Sequence, residues 1–270
     1  MPSKRKAFLE TAIQAAGKAG DLILKNLGKL SKKDIDVKQT SDFVTRVDRE
    51  SEEIILKTIK NSFPDHTFLT EESLHDVETE QYRWIIDPLD GTTNYIHRYP
   101  VFSISIALEY RRDMVLGVVY EPLRGDMFTA EKGKGAFLNS RRIEVSGIDS
   151  LRNCLVTTGF PFRKKELIDP YLTAFKNLFL KISDLRRAGS AALDLSYLAC
   201  GRCDAFFEIG LSPWDIAAGS LLIEEAGGVV TDFSGGRDYL RSGNIVAGNP
   251  IVHRKVLKEV KKVFAGIIDR

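Results

Sequence analysis

The sequence predicts a fold that mixes helices and strands, with an antiparallel part followed by an alternating α/β part. Between Val101 and Val145, apolar residues recur at every second position, which is typical of an antiparallel sheet. From Cys154 to Ile268, short apolar runs alternate with segments of helical spacing, which is typical of a mixed sheet with helices on its faces. With 270 residues, 43% of them hydrophobic, the chain can bury a core as one large domain or as two closely packed halves.

Two helices are predicted before the first strands. Apolar residues recur at helical spacing from Phe8 to Ile23, which predicts a helix of about twenty residues. The polar stretch from Ser31 to Ser41 lacks this pattern and is expected to be a mobile loop. A second helix is expected from Thr45 to Phe63, where Pro64 ends it.

The predicted strands and later helices follow in order. Two short strands at 68–70 and 84–86 are each followed by acidic residues. The antiparallel part divides into strands at 101–107, 115–120, 127–131, 136–138 and 143–145. The second half is predicted to contain strands at 154–158, 204–208, 229–232 and 244–247, and helices at 170–179, 190–200, 213–226 and 250–268. Residues 1–150 then carry most of the candidate metal ligands, and residues 151–270 complete the same compact unit.

Charge and composition exclude several classes of function. The 39 Lys and Arg residues balance 37 Asp and Glu residues, so the net charge of +2 makes a nucleic-acid partner unlikely. No apolar run reaches the roughly 18 residues that span a bilayer, so no membrane association is expected. The N-terminus lacks a secretory apolar core, and three cysteines fit a reducing compartment. The sequence therefore predicts a cytoplasmic protein.

Acidic residues stand at five informative places, which are Asp48, Glu71 with Glu72, the pair Asp87 and Asp90, Glu208, and Asp215. Some have an ordinary explanation as helix caps. Asp48 and Asp215 follow a Thr and a Ser by three positions, as in a capping box, and Asp90 precedes a glycine that can begin a short helix. Taken singly, each of these three acids fits a cap as well as a site.

The remaining acids are harder to explain as caps, because Glu71, Asp87 and Glu208 end apolar strands. Strand ends are where sites gather in proteins built from sheets and helices. Carboxylates that converge there repel by about 4 kcal/mol per pair at 4 Å and an effective dielectric near 20. Divalent cations would offset this repulsion, and oxygen ligands without His or Cys favour Mg²⁺ or Mn²⁺ over Zn²⁺.

The most informative part of the chain is the run from Trp84 to Asn94, WIIDPLDGTTN. Gly91 permits a tight reversal, and the amides that follow can point together at an anion. Hard cations beside an anion are what metal-assisted phosphate chemistry requires. No Cys is followed six residues later by Arg, and no Gly-x-x-x-x-Gly-Lys loop exists, so neither a cysteine phosphatase nor a P-loop enzyme is expected.

The same run resembles the first signature of the inositol monophosphatase family. The segments from Trp214 to Gly219 and from Glu224 to Gly228 resemble its second signature, and 42–48 and 70–73 match elements between them. The segment from Arg187 to Leu195 is most similar to bacterial members. The resemblance implies a layered α-β-α-β-α sandwich of the sugar-phosphatase type, usually a homodimer. It also implies Mg²⁺-dependent, lithium-sensitive cleavage of phosphate monoesters.

The resemblance further implies roles for individual residues. Glu71, Asp87 and the Leu89 carbonyl would hold a first Mg²⁺, Asp87, Asp90 and Asp215 a second, and Glu71 would share a third; Mn²⁺ is an alternative ion. Thr92, linked to Asp48 and helped by Glu71, would orient and deprotonate a water molecule for direct in-line attack. The substrate would meet Asp90, Glu208 and Asp215, together with Gly91, Thr92, Thr93, Gly189, Ser190 and Ala191.

The expected substrate is myo-inositol 1-phosphate, with fructose 1,6-bisphosphate as a further one. A second phosphate requires a cation, which we expect to be Arg186, although Arg187, Arg163 or Lys164 could supply it. Ion pairs or dimer contacts would explain these residues equally well. Other small esters, such as a nucleotide 3′-phosphate or histidinol phosphate, remain alternatives, as does a partner-binding regulatory protein that retains the fold.

Overall fold

The computed structural model describes residues 2–39, 42–73 and 81–268. The helices are α1 (Pro2–Asn26), α2 (Arg46–Ser62), α3 (Thr92–Ile96), α4 (Ile168–Phe179), α5 (Ala191–Ala199), α6 (Pro213–Glu225), α7 (Tyr239–Ser242) and α8 (Pro250–Phe264). The first strands are β1 (Ile35–Gln39), β2 (Asp42–Thr45), β3 (Thr67–Thr70), β4 (Tyr82–Asp90), β5 (Ser103–Tyr110), β6 (Asp113–Glu121), β7 (Asp126–Glu131), β8 (Gly135–Leu138) and β9 (Arg141–Ile143). The second half adds β10 (Leu155–Thr158), β11 (Asp184–Arg186), β12 (Ala205–Glu208), β13 (Val229–Thr231) and β14 (Ile245–Gly248).

Two large sheets organise these elements. Strands β3 to β9 form a seven-stranded sheet in chain order, in which every pair is antiparallel except the parallel pair β3–β4. The predicted antiparallel part is therefore confirmed. The second sheet has the order β11-β10-β12-β14-β13, with β10 parallel to β11 and β12 and with β14 antiparallel to both of its neighbours.

Each sheet is covered by helices on both faces. In β4, Trp84 packs with α1 and α2, whereas Ile85 faces the core that contains α5 and α6. In β12, Phe206 faces that same central core and Phe207 faces α4 and α8 on the outer side. Because side chains alternate between the faces of a strand, one helix pair lies between the sheets and another covers each outer face. The predicted α-β-α-β-α layering is confirmed.

The polar stretch 31–41 was predicted as a loop, and this is wrong for its described part. Lys32–Asp34 form a 3-10 turn, and β1 then pairs with β2 in an antiparallel ribbon. Ion pairs with α2 help to hold the ribbon, from Asp34 to Arg46 at 3.2 Å and from Asp36 to Arg49 at 2.6 Å. Residues 40 and 41 lie outside the described residues.

Other boundaries differ in smaller ways. Strand β4 continues to Asp90 instead of ending at Ile86, so both aspartates belong to the strand. The sequence pattern missed β11 and α7, and α8 ends at Phe264. Over the described ranges, none of the helices combines the length and apolar character needed to cross a membrane.

Candidate active site

Strand β4 ends in an irregularity that turns two aspartates toward the same side. Asp87 pairs with Ser105 of β5 and Asp90 pairs with Ser103, so three steps along β4 match two steps along β5. In a regular strand, residues three apart would point to opposite faces. The extra residue removes that alternation, as a β-bulge does. Pro88 lies within the irregular stretch, where its lack of an N–H costs no ladder hydrogen bond.

Asp215 completes a cluster of three buried carboxylates with Asp87 and Asp90. One carboxylate oxygen from each residue lies within 4.8 Å of the others, and each side chain is less than a tenth exposed. Asp215 reaches the cluster from the first turn of α6. The helix that starts there therefore brings an acid from the second half of the chain to the end of β4.

Helix starts hold two of these acids in place. Asp90 Oδ2 accepts hydrogen bonds from Ser190 Oγ at 2.6 Å and from the Ala192 amide at 2.8 Å, so its carboxylate caps the start of α5. Asp215 Oδ2 accepts from the Ser212 amide at 2.7 Å in the capping box of α6. Both acids thus serve as caps and as cluster members. The capping box of Asp215 is the one predicted, whereas Asp90 caps α5 and not the short helix α3 that follows it in sequence.

Asp48 lies behind the cleft and joins a third helix start to it. Its Oδ2 accepts from the amide and the hydroxyl of Thr45, which forms the predicted capping box of α2. Its Oδ1 accepts from Thr92 Oγ1 at 2.8 Å. Thr92 Oγ1 also lies 3.1 Å from the Leu89 carbonyl oxygen. The buried Asp48 therefore reaches the cleft through the hydroxyl of Thr92.

Burial and mutual repulsion disfavour the charged forms of these acids. Burial, then the charges of Glu71, Asp90 and Asp215, raise the pKa of Asp87 well above its usual value. Burial and the charge of Asp215 raise the pKa of Asp90 to about 7, against the hydrogen bonds from α5. Burial also raises the pKa of Asp48, although the bonds from Thr45 and Thr92 oppose it. Such a site gains stability from any added positive charge.

The turn at Gly91 is fixed by its surroundings. Gly91 has φ of +95°, and a Cβ there would lie 3.0 Å from the Val101 carbonyl oxygen, so glycine is required. Asn94 then donates from Nδ2 to the carbonyl oxygens of Val101, Ala188 and Gly189 at 2.8, 2.9 and 3.2 Å. Asn94 thereby ties the start of α3 to the segment that leads into α5.

A cleft of about 400 Å³ opens over the cluster. Of the predicted site residues, the following line it: Glu71, Asp87, Leu89, Asp90, Gly91, Thr92, Thr93, Gly189, Ser190, Ala191, Glu208 and Asp215. Asp48 does not line the cleft and acts on it only through Thr92. The structure thus brings together acids that the sequence places on β4, β12, α6 and the end of β3.

The structure places Arg186 outside the cleft, which corrects our choice of cation for a second phosphate. Arg186 ends the edge strand β11, and its guanidinium pairs with Asp184 at 2.6 Å. Residues two apart on a strand share a face, which explains this pairing. Of the alternatives, Arg187 and Arg163 line the cleft, whereas Lys164 is not among its lining residues.

Asp194 was missed as a site residue. It lies on the otherwise apolar face of α5, is 2% exposed and lines the cleft. Burial and the charge of Asp90 raise its pKa well above the usual value, whereas Arg187 opposes the rise. Burial and the charges of Asp194 and Asp215 likewise raise the pKa of Glu208 well above its usual value. The sequence signal that could have indicated Asp194 is a single aspartate among the Ala and Leu residues of the predicted helix.

The donor set fits a hard divalent cation. Three buried carboxylates converge, and the described residues that line the cleft include no His or Cys. Oxygen-only sites of this kind suit Mg²⁺ or Mn²⁺. Burial and mutual repulsion raise the pKa values of Asp87 and Asp90, and a bound cation would oppose this rise.

The fold and the cleft define a layered α-β-α-β-α protein with a buried acidic cluster where a strand and two helix starts meet. A model of the inositol monophosphatase family matches residues 4–265. Nus factor SuhB of Escherichia coli is 47% identical over 264 residues, which are 97% of this chain and 99% of that protein. An inositol-1-monophosphatase of Mesorhizobium japonicum is 44% identical over 259 residues, covering 96% and 97%.

Solved structures agree with this relationship. The extragenic suppressor protein suhB of Bartonella henselae superposes with a TM-score of 0.91 at 43% identity, covering 95% of this chain and 99% of that one. The chain belongs to the inositol monophosphatase family, a family of phosphatases. The resemblance seen in the two signatures is thereby confirmed.

Proposed function

We propose that this protein hydrolyses phosphate monoesters of small polyols with Mg²⁺, and that myo-inositol 1-phosphate is its substrate. One observation carries the proposal: the Asp87, Asp90 and Asp215 cluster lies beside the turn at Gly91 and the Thr92–Asp48 pair. Glu71, Asp87 and the Leu89 carbonyl would hold one ion, and Asp87, Asp90 and Asp215 a second. Glu71 would share a weaker third, and Mn²⁺ could replace Mg²⁺.

When bound, the cations supply the positive charge that phosphoryl transfer requires. The chain's own residues position the reactants and move the proton. Thr92 Oγ1 orients the attacking water, takes its proton and passes its own to Asp48, whose raised pKa suits it as an acceptor. Glu71 assists from the rim of the cleft. No covalent phosphoenzyme is needed, since water attacks phosphorus in line with the ester oxygen. That oxygen leaves with the electron pair of the broken bond as the polyol alkoxide, whose charge the second cation would stabilise.

The phosphate and the polyol would meet different parts of the cleft. The amides of Gly91, Thr92 and Thr93 precede the first intrahelical bonds of α3 and would donate to the phosphate oxygens. Carboxylates at Asp90, Glu208 and Asp215, with the amides of Ser190 and Ala191, would face the hydroxyls. Vicinal hydroxyls of inositol can donate in pairs to such carboxylates.

Fructose 1,6-bisphosphate is our second candidate substrate, because Arg187 and Arg163 both line the cleft. A guanidinium can bind a phosphate through two parallel hydrogen bonds. Arg187 also lies near enough to Glu208 and Asp194 to oppose the rise that burial causes in the pKa of each. A distal phosphate at this side of the cleft would therefore meet positive charge.

The test is phosphate release by the purified protein from a panel of esters. Inositol 1-phosphate, fructose 1,6-bisphosphate, a nucleotide 3′-phosphate and histidinol phosphate should be compared with Mg²⁺, with and without Li⁺. Asp90→Asn keeps an acceptor for Ser190 and Ala192, so it should fold yet lose at least about a hundredfold in activity. Normal turnover in this variant would refute the cation site, and a strong preference for the nucleotide would refute the substrate.

A role with a protein partner is a second candidate, because relatives 47% identical over nearly the whole chain are named Nus factor SuhB. Such a role would act through a surface and would persist in an Asp87→Asn variant that has lost activity.

We also propose a homodimer, since Ile168, Leu172 and Phe179 expose an apolar stripe along α4. Light scattering during gel filtration would measure its mass. Cytoplasmic location remains a prediction.

A further inference from the structure

Arg163 is the basic side chain that contacts the acidic cluster. Its Nη1 donates to Asp215 Oδ2 at 3.1 Å and lies 3.2 Å from Ser212 Oγ. Over the described ranges of the chain, neither Asp87 nor Asp90 forms an ion pair with a lysine or an arginine. Arg163 therefore brings its positive charge to the cluster through its contact with Asp215.

Arg163 is a partly exposed loop residue. It lies in the irregular segment 159–164 between β10 and a 3-10 turn, and its side chain is 27% exposed, against 9% for Asp215. Its guanidinium also lies 5.0 Å from the centre of the Phe162 ring. The contact is thus made by a loop side chain at the mouth of the cleft, whereas Asp215 is fixed by the capping box of α6.

The contact competes with the role proposed for Asp215. Asp215 Oδ2 already accepts from both the Ser212 amide and Arg163, so a cation that used this oxygen would compete with the guanidinium for it. A divalent cation among the three carboxylates would also repel a guanidinium in contact with one of them. Each positive charge at this carboxylate therefore weakens the binding of the other.

We propose that Arg163 is the counter-ion of the cluster when no divalent cation is bound, and that it leaves Asp215 when one binds. This inference rests on the cation site proposed above. Because coupling between two binding events is reciprocal, removing the guanidinium should tighten the binding of the cation. Arg163 would thus reduce the affinity of the site for its cation while stabilising the protein without it.

The test is titration calorimetry of Mn²⁺ and Mg²⁺ into the full chain after treatment with EDTA and desalting. Arg163→Met and Arg163→Gln should each lower the dissociation constant roughly fivefold or more. Arg163→Lys, which keeps the charge, should lie between them and the wild type. Arg187→Met is the matched control, because it removes the same charge from the same cleft without a contact to Asp215.

Thermal unfolding gives a second measurement that needs no substrate. Arg163→Met should lower the melting temperature of the EDTA-treated protein and leave that of the Mn²⁺-saturated protein unchanged. Unchanged or weaker cation binding in Arg163→Met, or an equal gain in Arg187→Met, would overturn the role of Arg163 while leaving the cation site intact. If the wild type bound neither ion, the cation site would fall as well.

Discussion

At the scale of single residues, Thr92 connects the buried acid Asp48 to the cleft, and we predict that its hydroxyl is essential. Thr92→Val keeps the shape but removes the hydrogen bond to Asp48, so kcat should fall by about 10²- to 10⁴-fold. Thr92→Ser keeps the hydroxyl and should retain most of the activity. Steady-state kinetics of both variants on inositol 1-phosphate would show this. Equal activity in the two variants would mean that the hydroxyl moves no proton.

The sequence alone indicated most residues of the cleft but not their contacts. Asp87 and Asp90 were predicted because carboxylates that end an apolar strand need a cation or a donor. The strand bulge that brings them to one side depends on pairing with β5 and leaves no signal in the local pattern. The position of Arg186 outside the cleft could not be predicted for a similar reason, because it depends on where the edge strand β11 ends.

At the scale of elements, helix α1 contains two glycines for which we predict opposite effects. A Cβ at Gly17 would meet no atom within 4 Å, so Gly17→Ala should stabilise the protein by about 0.5–1 kcal/mol by favouring the helix. A Cβ at Gly20 would overlap the ring of Tyr120 and lie 3.3 Å from Pro122, so Gly20→Ala should destabilise by about 1–3 kcal/mol.

Urea unfolding of the two alanine variants provides the comparison. Because both glycines lie in the same helix, the difference between the variants isolates the close approach of α1 to the seven-stranded sheet. Stabilisation by Gly20→Ala would show that α1 does not approach the sheet closely.

Helix α8 should make the stability of the protein depend on pH below neutrality. Burial, and then the charge of Arg254, lower the pKa of His253 from 6.5 to about 4. Since the unfolded chain binds this proton more readily, the stabilising contribution is present above pH 6.5 and is lost as the pH falls toward 4. Between pH 7 and pH 4.5 the loss should be about 2–3 kcal/mol. His253→Gln should lack this part of the pH dependence in urea unfolding, and an unchanged slope would contradict the prediction.

Long elements were predictable, whereas short edge strands were not. Helices α2 and α6 carry capping boxes, and α2 also has regular apolar spacing, so their ends were located within one or two residues. Strands β1 and β11 are polar and lie at sheet edges, where pairing and ion pairs form them. Such strands are made by tertiary contacts that single-sequence patterns do not contain.

At the scale of the whole molecule, the cleft unites residues from distant parts of the chain, so a bound cation should stabilise the entire fold. Cation at about a hundred times its dissociation constant should add roughly 2.7 kcal/mol, or about 5–10 °C in melting temperature. Treatment with EDTA should remove this gain, and Asp90→Asn should show much less of it. Differential scanning calorimetry at constant ionic strength measures the melting temperature with and without EDTA, for the wild type and for Asp90→Asn.

Sodium chloride at the same ionic strength is the control for this measurement, since general screening would act without a specific site. An equal rise in melting temperature with sodium, or in the Asp90→Asn protein, would show that the ion does not act through the cluster.

The arrangement of layers could be proposed only from the family resemblance. Phe206 and Phe207 are both apolar neighbours in β12, yet they face different cores. A strand that is buried on both faces shows no alternation, so its pattern does not tell which helices cover which side. The alternating elements indicated helices on both faces of a sheet, but they did not determine the number and order of the layers.

The helix starts that hold Asp48, Asp90 and Asp215 affect how quickly a cation can bind in the cleft. These carboxylates are oriented by donors within the protein before any ion binds, so their side-chain conformational entropy is already lost when the protein folds. Loading then requires the ion to shed part of its hydration shell and the Arg163 side chain to leave Asp215, whereas the carboxylates themselves need not rearrange. For Mg²⁺, which dehydrates reluctantly, the arrival rate would follow the chemistry of the ion more than that of the polypeptide.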